Sequence, residues 1–364
     1  MTQEAVADRL HVSRSAVSDI EAGKRAVSAT ELVALADMFG QSLEQLLGLE
    51  ETRVVDDEFM FRVSSAPVES RPALAAWVGL CEAYAWLEAE LGEKRIEDLR
   101  PRTEPLDSFE VAAELAEEER SRLGLGPTPA HVLLGVLENR LGVKVFFRDL
   151  DEGLSGASVV SSRFGAAILV NGRHSPGRRA FTLAHEYFHL IARGPVVGVG
   201  RPGPLHWCDS APATESKPKV EQLADAFAGR LLMPREPFIE RLRWAMSRSG
   251  TVDERSIIGV ARHFGVSVQA VFVQLAVQKL VPWSLAMDTY RAERVQESIA
   301  GAGPEMGLAP ERFRRLVLIA YERGIVSRGK VAELLDVGYE DVGDEARRHG
   351  GGGADRGLSV TLPD

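Results

Sequence analysis

Between residues 141 and 234 the spacing of apolar positions changes register. LGVKVFFRDL (141–150), SGASVV (155–160) and FGAAILVNG (164–172) are short β-type runs closed by turn residues, which predicts three strands of a small sheet. Over FTLAHEYFHLIA (181–192), and again over VEQLADAFAGRLLMP (220–234), the apolar residues recur at three and four. That spacing predicts two helices, the second stopped at Pro234. The stretch between them, 193–219, is rich in Gly and Pro and is predicted to be largely loop.

The flanking regions read as helical. Residues 71–125 are rich in Ala, Glu and Leu with helical apolar spacing, and the Glu/Arg run at 117–122 reads as a solvated helix face. Residues 51–70 look like a connector with one short apolar, strand-like piece. In the first 50 residues one helix (TQEAVADRL) ends at a turn around His11 and Val12. A second starts at Ser13, a good N-cap, and runs to Gly23. Ala5, Val6, Leu10, Val12, Val17 and Ile20 fall where two crossed helices pack, while Ser13, Arg14, Ser15 and Ser18 point outward. That is a helix-turn-helix with a short polar recognition helix. Two further helical clusters, near 253–280 and 308–348, echo the pattern. Their many apolar positions favour packing or substrate docking over DNA reading. The expected class is α+β, mainly helical.

Composition narrows the setting. With 364 residues, 45% hydrophobic and 26% charged, the chain is an ordinary globular sequence long enough for two or three domains. No run of about 18 uncharged apolar residues predicts a membrane span, and the charged N-terminus is unlike an export signal. Two cysteines, Cys81 and Cys208, are too few for a disulfide framework, so a cytoplasmic location is expected. A net charge of -10 opposes broad nucleic-acid binding but leaves room for a small DNA-reading face.

The candidate chemistry lies in HEYFH. His185 and His189 are four apart, so on a helix they leave one face a turn apart, as two ligands of one metal must. Glu186 can reach a metal-bound water without being a ligand. The bland alternative is a core helix with two satisfied histidines. A catalytic zinc takes a third protein ligand, and Glu221 is the natural one. Asp225, one turn on, is placed to hydrogen-bond a ligating imidazole. Taken alone, both would pass as a solvated helix face. His206 and Cys208 in LHWCD form a competing pair, read here as part of a loop bordering the cleft. His174, Tyr187 and His206 are weak candidates for stabilising an oxyanion.

These residues resemble the ImmA/IrrE metallopeptidases. The matching pieces are Val170-Asn171, the run Phe181 to His189, then Glu221, Ala224, Asp225, Phe227, Ala228 and Leu232-Met233-Pro234. The resemblance covers roughly residues 130 to 280. It implies that His185, His189 and Glu221 bind zinc and that Glu186 is the general base. Phe188 departs from the pattern, where many members carry glycine. Residues 1 to 49 resemble the XRE (phage repressor-like) family, lacking its first helix. That resemblance implies DNA contacts from Gln3, Ser13, Arg14, Ser15 and Ser18, with Lys24 and Arg25 near phosphates. Against it, residues 1–50 carry four basic and eight acidic side chains.

The domains expected are a DNA-binding domain (1–50), a connector and helical region (51–125), a zinc peptidase domain with a trailing helix-turn-helix-like segment (126–282), a C-terminal helical region (283–348) and a disordered tail (349–364). The function expected is a regulatory zinc endopeptidase fused to a DNA-binding domain, acting on a repressor-type protein, with a homodimer compatible. The alternative is a transcription regulator whose peptidase-like domain senses a signal or partner and cleaves little.

Overall fold

A computed structural model describes residues 3–10, 12–21, 24–39, 71–94, 96, 98–151, 154–192, 205–209, 218–249, 253–284 and 309–349. The chain divides into two compact units, residues 1–57 and 58–364. The turn residue His11, Gly23, the strand-like piece in 51–70 and the tail from 350 lie outside the described residues.

The first unit holds three helices, α1 (Gln3–Leu10), α2 (Arg14–Glu21) and α3 (Ala29–Phe39). Ser13 caps α2, its hydroxyl accepting from the Ala16 amide at 3.3 Å. Of the apolar positions expected to pack, Leu10 and Val17 are buried and Val6, Val12 and Ile20 half-buried, and Ala7, outside that set, is buried with them.

The second unit is built on a four-stranded sheet of order β1-β3-β2-β4. Its strands are β1 (Lys144–Arg148), β2 (Leu154–Ser161), β3 (Gly165–Asn171) and β4 (Leu205–Asp209). β1 runs parallel to β3, and the other pairs are antiparallel. Three strands match the sequence pattern. The fourth is a correction: LHWCD, expected within a loop, pairs with β2, setting His206 opposite Ser158 and Cys208 opposite Gly156. Five residues flanked by Gly and Pro carry too little periodicity to announce an edge strand, which the backbone of β2 recruits. Asn171 ends β3 and organises the approach to β2. It donates to the Leu154 carbonyl at 2.8 Å and accepts from the Arg173 amide at 3.1 Å.

The runs VFF and AAILV are apolar at consecutive positions because both faces of the sheet are covered. Val145, Phe147, Ile168 and Val170 join the core formed with α7 (Pro176–Ile191) and α8 (Lys219–Leu232). On the other face Phe146 meets the ring of Phe313 edge-on at 5.4 Å, and Tyr84 lies 5.1 Å from the same ring. These two partners come from α4 (Arg71–Glu90) and, far along the chain, α12 (Glu311–Glu322). Leu74, Trp77, Cys81, Tyr84 and Leu87 form the buried stripe of α4. A further helix, α5 (Phe109–Leu123), capped by Ser108 at 3.2 Å, packs on α8. Regions 51–125 and 283–348, set apart by composition, thus supply helices to the same unit as the sheet.

The remaining helices are α6 (Leu133–Asn139), α9 (Arg235–Ser249), α10 (Glu254–Phe264), α11 (Val268–Val277), α13 (Arg328–Leu335) and α14 (Val342–His349). The α10–α11 turn presses on the start of α7. A β-carbon at Gly177 would fall 2.5 Å from the Val266 carbonyl carbon, so only glycine fits there. Among the described residues no single helix is long and apolar enough to cross a membrane. The bent pair α10–α11 passes on length and composition, but Val268, Val271, Phe272 and Leu275 of α11 are buried in the protein core.

Candidate metal centre

α7 and α8 bring the chemistry of HEYFH together with that of VEQLAD. His185 and His189 leave the same face of α7, and Glu221 meets them from the first turn of α8. Their donor atoms form a tight triangle. The two Nε2 atoms are 3.2 Å apart, His185 Nε2 lies 3.2 Å from Glu221 Oε2, and His189 Nε2 lies 3.3 Å from Glu221 Oε1. A tetrahedral divalent ion with bonds of about 2.0–2.2 Å holds its ligands roughly 3.3–3.6 Å apart. The triangle therefore fits such an ion with only a slight opening. Its donor set of two imidazoles and one carboxylate also suits a borderline divalent metal.

Asp225 Oδ1 lies 2.9 Å from His185 Nδ1. That bond fixes the tautomer and leaves Nε2 to face the triangle. Burial pushes the His185 imidazolium down, yet the Asp225 and Glu221 carboxylates outweigh it and raise its pKa to about 9. A cation entering the triangle must displace that proton.

Glu186 is fully buried. Its carboxylate lies under β2 at Gly156, where an added β-carbon would stand 3.2 Å from Glu186 Oε1 and only 2.6 Å from Thr182 Cγ2. A side chain at 156 would displace the carboxylate or the helix beneath it. Sequence reading did not single out Gly156. The only signal was a run of small residues, SGAS, where a central strand would normally carry bulk.

Tyr187 does not serve the cleft. Its hydroxyl donates to Glu119 and accepts from Arg122 Nη2 at 3.2 Å, and Arg122 holds Glu119 at 2.7 and 2.9 Å. The candidate oxyanion donor is thus a buried strut between α7 and α5. Burial, and then the Glu119 charge, push the phenol well above its usual range. The Glu/Arg run at 117–122, expected to be a solvated face, is therefore partly interior, with Glu119 buried. Phe188 is buried against Phe227, ring centroids 5.4 Å apart, and packs the helix without crowding the donor triangle. His174 sits outside the triangle, half-buried before α7, its pKa lowered to about 4 by burial and by Arg178. The side chains of His206 and Cys208 lie outside the described part.

Residues 138–275 match the IrrE N-terminal-like domain of the peptidase M78 family, and residues 1–46 match a helix-turn-helix family. The chain joins a helix-turn-helix domain to an IrrE N-terminal-like domain. No curated protein matches it. The matched IrrE-like segment contains the whole donor triangle with Asp225 and Glu186.

In the helix-turn-helix domain, Ser13, Arg14, Ser15 and Ser18 are exposed, and Arg14 Nε donates to Gln3 Oε1 at 3.4 Å, so α1 and α2 present these groups together. Lys24 is exposed as well. Arg25 is tied to Glu31 at 2.8 Å. The Ser28 amide, and then Arg25, hold the Glu31 carboxyl below the usual range.

Proposed function

We propose that the protein is a regulatory metal-dependent endopeptidase coupled to DNA binding, with zinc at the triangle and a repressor-type protein as substrate. The observation that carries this reading is the convergence of His185, His189 and Glu221 within 3.2–3.3 Å of one another. Bound there, zinc would supply Lewis-acid polarisation of a peptide carbonyl and a more acidic water. Asp225 would hold the His185 ring in its ligating orientation. Glu186, buried beside the triangle, would take the proton of the attacking water and hand it to the leaving amine. Gln3, Ser13, Arg14, Ser15 and Ser18 would meet DNA, with Lys24 beside phosphates and Arg25 shared between phosphate and Glu31.

Elemental analysis of the purified protein tests the centre, with wild type beside His185→Ala and Glu221→Ala. About one zinc in the wild type, lost in both variants, is the expected result; a metal-free wild type prepared without chelator ends the peptidase reading. Glu186→Gln then separates catalysis from sensing. A peptidase keeps its zinc and loses cleavage, whereas a regulator that only senses keeps its regulatory effect.

A further inference from the structure

The α9–α10 face carries cations that neither the metal centre nor the helix-turn-helix domain uses. On α10, Arg255, Arg262 and His263 are exposed and cluster around Gly259 by helical periodicity. Arg241 of α9 reaches across to this face, since a β-carbon at Gly259 would lie 4.0 Å from its Nη2. Its guanidinium stacks on the exposed ring of Trp244, 4.0 Å from the centroid. His131 closes the edge, its Nε2 lying 3.3 Å from the His263 carbonyl oxygen, with exposed Val132 beside it. Partial burial lowers the His263 pKa, and the Arg241 and His131 charges lower it further, so the groups sense one another.

Among the described residues no carboxylate forms an ion pair with Arg241, Arg255 or Arg262. The neighbouring Asp253 caps α10, bonding the Ser256 amide at 2.8 Å and its hydroxyl at 2.6 Å; these bonds first, and the Arg255 charge last, hold its carboxyl below the usual range. A chain of net charge -10 thus gathers, on one face spanning about 10 Å, an aromatic ring and guanidinium groups that no described carboxylate bridges. Arginine and tryptophan are the side chains that anchor protein interfaces, and guanidinium groups match carboxylates two bonds at a time. A nucleic acid fits less well. The helix that would read a groove in such a hairpin, α11, is buried along Val268, Val271, Phe272 and Leu275.

We propose that this face docks an acidic segment of a partner protein, carboxylates on Arg241, Arg255 and Arg262 and an apolar side chain on Trp244. Fluorescence anisotropy on the full chain tests it, with a labelled 15-residue peptide of alternating Glu and Leu, a control with Lys for Glu, and a random-sequence 20-base-pair duplex. The acidic peptide should bind, weaken as salt rises, and lose at least about tenfold in affinity in Arg255→Glu/Arg262→Glu. Arg255→Ala/Arg262→Ala, which removes charge without reversing it, should show a smaller loss in the same direction. Both positions are exposed, so circular dichroism should find the fold intact. The proposal is overturned if the lysine control binds as well, if neither double variant changes peptide binding, or if the variants lose duplex binding alone. No catalysis enters the measurement, so its outcome is separate from that of the peptidase reading.

Discussion

The two faces of the sheet bury charged clusters of opposite logic. On the α4–α12 side, Lys144 lies 3.0 Å from Glu88 and 4.6 Å from the Tyr84 ring, while Arg312 pairs with the same Glu88 and, at 3.7 Å, with Glu93. That cluster contains its own cations. On the α7–α8 side, the donor atoms of His185, His189 and Glu221 converge, Asp225 bonds the outer nitrogen of His185, and the positive charge among them is a displaceable proton on His185. A buried set that neutralises itself is a structural joint. A buried set of donors aimed at one point is a binding site.

Breaking each cluster should therefore give different phenotypes. The largest effect expected is His189→Ala, which abolishes stoichiometric metal binding by elemental analysis. Removing one partner from the other cluster, as in Glu88→Ala, should cost about 3–5 kcal/mol of stability and leave metal stoichiometry unchanged in the folded fraction. Urea titration with a metal assay distinguishes the two; equal metal loss in both would dissolve the contrast. Asp225→Asn should be milder, weakening metal affinity roughly 10–100-fold through the misoriented His185 ring, read by chelator competition.

A change with no bearing on the metal site concerns pH. Burial raises the Glu138 carboxyl to about 8, although the Glu311 amide 3.4 Å away favours its charged form. The folded state thus holds a proton that the unfolded chain releases near 4.5. Stability from this group is complete below about 4.5 and is lost as pH rises through about 8, at up to roughly 1.4 kcal/mol per unit. Glu138→Gln should flatten that part of the stability–pH curve in chemical denaturation. An unchanged slope would mean that Glu138 is ionised in the fold.

The donor set was legible because helical spacing is local. His185 and His189 four apart, and Glu221 and Asp225 four apart, declare their faces before any tertiary contact forms. Other features were not legible. Lys144 within KVFF and Glu88 within an apolar helix are odd singly, and their pairing spans 56 residues. Tyr187 reads as a cleft hydroxyl until Glu119, 68 residues away, claims it. β4 carries no strong pattern of its own and takes its conformation from β2.

Local periodicity and residue chemistry by themselves determined the helix-turn-helix, three strands and the metal-ligating candidates, because each depends on residues within a few turns or one strand. Tertiary structure alone decided which face of the sheet receives α12, which buried charges cancel, that Gly156 leaves room for Glu186, and that an arginine of α9 joins those of α10. Those outcomes depend on distances between segments far apart in the chain, which no local pattern encodes.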